Sequence, residues 1–245
     1  MADPSELTAD LPAEYRLRFG PAAQYRQRVW RTLIDEYFAR FVKPTDVVLD
    51  LGSGWGEFIN QVAARERIAI DMNPDAHTHL APGVKLLRTD AAAPWPLADG
   101  SLDCVFTSNF LEHLPDKAAV TRALKEAHRC LRPGGRMICL GPNIRVLHGS
   151  YWDFFDHHTP LSDLALKEAL ELRGFRVHVC IERFLPYTMS SRFQPPLWTL
   201  RAYLRLPFAW RFFGGQFLVV GERSSGSARL QPGSDPRGSP GGAQP

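Results

Sequence analysis

Cysteine is scarce in this chain, and the four present, Cys104, Cys130, Cys139 and Cys180, stand far apart. With no CxxC pair and no histidine at zinc-finger spacing, neither a disulfide framework nor a metal site is indicated, and the four read as reduced, mostly buried thiols. Long apolar runs are missing as well. Nothing in the sequence reaches the length of a membrane-spanning helix, and the polar, acidic start lacks the basic-then-apolar pattern of a secretion signal, so a cytoplasmic protein is expected. Nor is there an excess of charge of one sign. Lys plus Arg number 29 against 26 Asp plus Glu, a net charge of +3, too slight to argue for nucleic acid, and no nucleic-acid partner is expected. What is present is 245 residues, 44% of them hydrophobic, enough for one enzyme-sized domain with decoration.

Hydrophobic spacing sets the organisation. Within residues 12–41, Val29, Leu33, Ile34, Tyr37, Phe38 and Phe41 recur at helical intervals, and Lys43-Pro44 stops the pattern, so residues 1–45 read as an N-terminal helical cap. Val47-Val48-Leu49 is a short continuous apolar run ending in Asp50, the signature of a strand buried on both faces. The pattern repeats: Ile68-Ala69-Ile70 ends in Asp71, Val84 to Leu87 leads to Asp90, and Leu102 to Phe106 leads to Asn109. Further strands are expected over 136–140, 175–181 and 216–221, with helices over 117–131 and from a Ser162 cap to Leu172. Strands alternating with helices predict an α/β, doubly wound, mainly parallel sheet over residues 46–223, with ligands beyond the carboxyl ends of the strands. Residues 224–245 are almost all Ser, Gly, Pro, Gln and Arg and predict a disordered tail.

Asp50-Leu51-Gly52-Ser53-Gly54-Trp55-Gly56 follows a strand and precedes a helical pattern, so its glycines allow a tight turn and a close-lying, nucleotide-like ligand. A triphosphate loop needs Gly-Lys-Ser/Thr, and no lysine is present. The dinucleotide fingerprint needs glycine at position 57, where Glu57 would repel a diphosphate. A phosphate-free, cationic ligand such as S-adenosylmethionine is compatible with carboxylates at Asp50 and Glu57. Asp71, at the second strand end, can accept both ribose hydroxyls, and Asp90, at the third, can accept from an adenine amino group. A glycine turn that serves only the fold, or an Asp71 that only caps a helix, is the plainer alternative.

Val47 to Phe58 (VVLDLGSGWGEF), Ala69 to Asp75 (AIDMNPD), Thr89 to Asp103 (TDAAAPWPLADGSLD), Asn109 to Leu114 (NFLEHL) and Leu131 to Gly135 (LRPGG) together resemble the motifs of the class I S-adenosylmethionine-dependent methyltransferases, in particular those acting on small molecules and glycans. The resemblance covers roughly residues 46–182. It implies a seven-stranded sheet with an antiparallel last strand. It also implies S-adenosylmethionine held at Asp50, Gly52, Ser53, Gly54, Gly56, Asp71, Met72, Asp90, Ala91 and Asn109.

For a hydroxyl acceptor a base near pH 7 suffices. Candidates are His113, after the fourth strand, and His157 or His158 before the helix from Ser162; His148 lies in a less defined loop. The alternatives are a His113 bonded to a backbone carbonyl and a His157-His158 pair that orders its loop through Asp153 and Asp156. Glu112 is read as a support for the cofactor. Residues 184–213 interleave arginine with aromatics and contain no acid, which suits an anionic membrane surface, a lipid-linked or aromatic substrate, a dimer contact, or a helical cap closing the core. The expected partner is a small-molecule or glycan acceptor, with peripheral membrane contact through 184–213. A methyltransferase moving its methyl group to a sugar hydroxyl leads the readings; a quinone or other natural-product acceptor, a scaffold that only binds cofactor, and a nicotinamide oxidoreductase, which Glu57 disfavours, are the others.

Overall fold

The computed structural model describes residues 22–187 and 194–225, together with Ala13 and Arg16. The expected tail beyond Ser225, most of residues 1–21, and Arg192 and Phe193 of the aromatic insert lie outside the described residues.

Helix α1 (Ala23–Glu36) leads through a 3-10 turn at Phe38–Arg40 to strand β1 (Val47–Leu51). There follow β2 (Glu66–Ile70), α2 (Ala76–His79), β3 (Val84–Leu87), β4 (Leu102–Ser108), α3 (Lys117–Cys130) and β5 (Leu131–Pro142). The chain continues through α4 (Ile144–Leu147), α5 (Asp163–Glu171), β6 (Phe175–Leu185), α6 (Leu197–Arg205), α7 (Pro207–Phe213) and β7 (Gln216–Arg223). The strands form one seven-stranded sheet in the order β3-β2-β1-β4-β5-β7-β6. β1 to β5 pair in parallel and β7 runs antiparallel to both neighbours. The doubly wound sheet with an antiparallel last strand is as expected.

Side-chain alternation explains why the strands read as unbroken apolar runs. Val47, Leu49 and Leu51 enter one core with Val105, Met137 and Cys139, under α3 and α5. Val48 enters the opposite core with Cys104, Phe106, Ile138 and Leu140, covered by Trp30, Leu33, Ile34 and Phe38. Both faces are therefore buried, as parallel sheets require. Ser162 caps α5, its Oγ accepting from the Ala165 N–H at 3.1 Å, and Asp116 caps α3 through the Ala119 N–H, each cap supplying an acceptor to an otherwise orphaned donor.

Two expectations need correction. No helix follows the glycine loop: residues 52–62 form successive turns, with the Asn60 N–H to the Gly56 carbonyl at 2.9 Å and the Val62 N–H to the Phe58 carbonyl at 3.0 Å. The cause is local. Gly52, Gly54 and Gly56 all take positive φ, which delays entry into helix, and Arg67 donates to the Asn60 carbonyl at 3.0 Å, capturing an acceptor that a longer helix would use. The strand expected over 136–140 is also longer. It begins at Leu131, where Leu131 pairs with Leu102 before a register shift, because α3 ends directly into the sheet.

Candidate functional site

Asp50 is the last residue but one of β1, near the carboxyl edge of the sheet, and the glycine loop follows Leu51. At Gly52 (φ +71°) a Cβ would fall 2.1 Å from Cγ of Phe110, so only glycine lets the chain pass beneath that ring. The Gly52 N–H donates to the Ile70 carbonyl at 2.9 Å. Asp71 then clasps the loop: its Oδ2 accepts from the Gly54 N–H at 2.6 Å and its Oδ1 from the Asn73 N–H at 2.7 Å. Each carboxylate oxygen retains a lone pair for a ligand hydroxyl. Burial, then Glu57 and Asp71, push the Asp50 carboxyl well above its ordinary range, and burial, with a smaller push from Glu57, raises Asp71. A concentration of anionic groups too dry to ionise comfortably favours a cation beside it.

Glu57 itself is already engaged. Its Oε1 accepts from Nε and Nη2 of Arg26 at 3.0 and 2.8 Å. The reading of Glu57 as an open anion at the loop is thereby changed: α1 supplies a guanidinium to the same carboxylate.

The remaining cofactor candidates fall on the same edge. Ser53, Asn73 and Asn109 carry buried polar atoms, Oγ, Nδ2 and Oδ1 respectively, without a partner among the described residues, and a buried polar atom left so is costly unless a ligand meets it. Asn109 sits at φ +48°, a conformation asparagine tolerates better than most residues. Asp90 is exposed and its Oδ1 accepts from the Ala92 N–H at 2.8 Å; Ala91 is buried and takes the Trp95 indole N–H on its carbonyl at 3.0 Å. Met72 is 39% exposed beside Asp71. Gly56 packs against Asn60 and Leu80. Asn73 was not among the sequence candidates, although its place two residues after Asp71 is the pattern of an Asx turn.

On the acceptor side, two loops far apart in sequence are stitched together. The His158 and Thr159 N–H groups both donate to the Glu112 carbonyl, at 2.9 and 3.0 Å, and the Thr159 hydroxyl donates to the Leu114 carbonyl at 2.7 Å. The Tyr151 hydroxyl donates to the Thr159 carbonyl at 2.7 Å. The result places Glu112, His113 and His157 side by side, with one ligating atom of each within 4.8 Å of the others. The His113 and His157 rings lie edge to face at 5.0 Å. Nδ1 of His113 meets both the carboxylate and the carbonyl oxygen of Asp156, each at 3.0 Å, and Nδ1 of His157 meets the Tyr151 carbonyl at 2.7 Å. These acceptors favour a proton on Nδ1 of each ring. Burial pushes Glu112 up to about 7, with His113 opposing. Burial works against protonation of His113, but Asp156 and Glu112 outweigh it and raise its pKa.

His158 is exposed and joins through its backbone alone; His148, at φ +46°, is exposed. The loop is ordered by His157 and Tyr151, and Asp156 turns to His113 instead. Asp156, Tyr151 and Glu112 are the members of this cluster that spacing alone did not bring together.

The insert rises from the same edge, because β6 ends at Leu185 and β7 begins at Gln216, which pairs with Leu185 on one side and with Pro142 at the end of β5 on the other. Tyr187 meets the Phe154 ring at 5.7 Å. α6 and α7 turn Leu204 and Trp210 into the core, and the Tyr203 hydroxyl donates to the Phe184 carbonyl at 2.8 Å. Trp198, Phe208, Phe212 and Phe213 stay 67%, 73%, 64% and 68% exposed. Arg201 and Arg205 pair with Glu36 of α1 at 3.5 and 2.8 Å. Among the described residues, no helix is long and apolar enough to cross a membrane.

The chain is similar to known proteins in sequence and in fold. Residues 49–139 match a family model described as a methyltransferase domain. A Mycolicibacterium smegmatis protein described as a probable S-adenosylmethionine-dependent methyltransferase is 34% identical over 131 residues, 51% of this chain and 49% of that protein. A ubiquinone/menaquinone biosynthesis C-methyltransferase of Rickettsia akari is 28% identical over 149 residues, 54% of this chain and 57% of that one. The crystal structure of an S-adenosylmethionine-dependent methyltransferase from Archaeoglobus fulgidus shares the fold, with a TM-score of 0.61 at 21% identity over 83% of this chain and 98% of that chain. The matches to the first curated relatives span between 33% and 49% of those proteins' length.

Proposed function

The chain belongs to the class I S-adenosylmethionine-dependent methyltransferases, and from that membership we propose that it transfers a methyl group to a hydroxyl of a small acceptor, a sugar or glycan in particular. The cofactor is S-adenosylmethionine, and the residues present fit it. The carboxyls of Asp50 and Asp71 suit a cationic ligand, Asp71 keeps lone pairs for ribose hydroxyls, and the unpartnered atoms of Ser53, Asn73 and Asn109 ring the loop.

The observation that carries the hydroxyl reading is the Glu112–His113–His157 cluster beside the end of β4. Bound S-adenosylmethionine supplies a methyl carbon already activated by its sulfonium. The protein then has to align an acceptor oxygen in line with it and draw off the hydroxyl proton. The donor would leave as S-adenosylhomocysteine and the acceptor as a methyl ether, with the hydroxyl proton taken by a side chain of the cluster. A carboxyl and two imidazoles gathered beside β4 are groups of the kind that take such a proton. A phenolic quinone precursor is the second reading, favoured by the similarity to a quinone C-methyltransferase.

The exposed rings of α6 and α7 support a peripheral contact with a membrane surface, which would bring a lipid-linked acceptor to the same sheet edge.

Calorimetry with S-adenosylmethionine tests the donor half. Asp71→Ala is expected to weaken binding by about 1.5–3 kcal/mol through lost charge-assisted hydrogen bonds, and unchanged affinity would remove Asp71 from the site. Methyl transfer to lipid-linked or nucleotide-linked sugars tests the acceptor half; turnover of a quinone precursor but of no sugar would replace the first reading by the second.

A further inference from the structure

We infer that the amino edge of the sheet, at the other end of the strands from the glycine loop, holds a binding cleft for a phosphoryl group, lined by Lys125, His128, Leu172 and Arg173. The topology assembles it. β5, which follows α3 directly, and β6, which follows α5, both begin at that edge, and β7, antiparallel to them, ends there. His128 comes from the last turn of α3 with Lys125 just before it, Arg173 from the turn between α5 and β6, and Arg223 from the end of β7. The cleft has a volume of about 350 Å³ and no carboxylate among its described lining residues.

Positive charge near the carboxyl end of a helix can serve the helix alone, and Arg223 does so: its guanidinium donates to the Arg129 carbonyl at 3.0 Å and to the Leu131 carbonyl. The other bases are not engaged in this way. Lys125 has no ion-pair partner among the described residues. Arg173 reaches the Thr121 hydroxyl through Nη2 at 3.3 Å, and its Nε is buried with no partner among the described residues, a cost that a bound anion would offset. The acids closest along the same helices, Glu126 and Glu171, are held by Arg129 at 2.6 Å and Lys167 at 3.7 Å. The His128 ring stands edge-on to Phe175 at 5.2 Å, with Arg223, Arg173 and Lys125 as the charged groups around it. Burial, then Arg223, lower its pKa, so it is neutral in the empty cleft and can gain a proton as an anion enters.

An ammonium, a guanidinium and an imidazole are donors of the kind that hold phosphate oxygens. The volume lies in the range of small-molecule sites, and Leu172, 59% exposed at the wall, offers an apolar contact to the remainder of the ligand. A phosphate monoester is therefore the class that fits. The inference does not rest on the hydroxyl reading above, because the cofactor loop and the histidine cluster lie at the opposite edge.

The experiment uses the full chain at constant ionic strength, so that screening by salt is held fixed. Phenyl phosphate and inorganic phosphate are each titrated by calorimetry, and the His128 imidazole is followed by NMR, identified by the signal missing in His128→Gln. The expected result is saturable binding of phenyl phosphate, a His128 pKa that rises in the complex, and affinity about tenfold weaker in Lys125→Gln and in Arg173→Gln. Inorganic phosphate is expected to bind more weakly, by a margin that Leu172→Ser removes; equal affinities would keep the site and assign it to the free anion. S-adenosylmethionine binding, unchanged in each variant, serves as the fold control, and Lys125→Gln, at an exposed position, covers the case in which Arg173→Gln fails to fold. Absence of saturable binding of either phosphate, or binding undiminished in every folded variant, overturns the proposal.

Discussion

At the scale of single residues the chemistry depends on positions where the backbone leaves no choice. Gly52 is the clearest case. Its φ of +71°, and the 2.1 Å that would separate a Cβ there from the Phe110 ring, mean that Gly52→Ala adds left-handed strain and displaces the ring that covers the loop. The expected loss of stability is about 1–3 kcal/mol, measured by urea denaturation, with weaker S-adenosylmethionine binding; an alanine variant as stable as the parent would show that Phe110 moves aside freely. The glycine pattern was legible in the sequence because a strand, a turn and three alternating glycines are local. The clasp of Asp71 on Gly54 was half legible: spacing gave Asp71 a ribose role, but its grip on the loop backbone needed two strands side by side. Arg26, which engages Glu57, was not legible, since nothing in the sequence near Arg26 points to a partner 31 residues on.

At the scale of elements, the parallel strands have to be tied at their amino ends as well as dressed at their carboxyl ends. Asp103, at the start of β4, accepts from the Val47 N–H of β1 at 2.8 Å and from the Arg132 guanidinium at the start of β5. Burial opposes its ionisation, but the Val47 N–H and Arg132 outweigh that and hold its pKa below the ordinary value. A carboxylate depressed in the folded state stabilises fully above its unfolded pKa, about 3.9, and loses that contribution as pH falls through the folded value. Asp103→Asn is therefore expected to lower the urea midpoint at neutral pH and to flatten its decline below about pH 4. Parallel curves for the two proteins would remove Asp103 from the acid limb. Strand and helix existence was legible from periodicity and caps, Ser162 and Asp116 among them. The absent helix after Gly56 was not, because the competing acceptors and donors, Asn60 and Arg67, belong to neighbouring segments.

At the scale of the whole molecule, α6 and α7 carry apolar rings outward from the edge that also bears the glycine loop and the histidine cluster. Arg201 and Arg205 are paired with Glu36, so contact with a membrane would rest on the rings more than on charge. The chain is expected to co-sediment with phospholipid vesicles with little loss at high salt, and the double variant Phe208→Ser, Phe212→Ser to reduce the bound fraction several-fold. A parent chain that stays in the supernatant would leave the rings to another role. The core-closing cap and the outward aromatic face were alternatives in the sequence; the fold divides the insert between them, with Trp210 inside and Phe208 outside. The sequence by itself determined the sheet and the glycine turn after its first strand, because periodicity and turn glycines are properties of short segments, whereas the charge at position 57 is half of an ion pair whose other half, Arg26, only the fold supplies. Only the tertiary structure decided that Glu112, His113, Asp156 and His157 meet, since the two loops that hold them are joined by hydrogen bonds spanning more than forty residues, and no local pattern records which distant backbone a loop will seek.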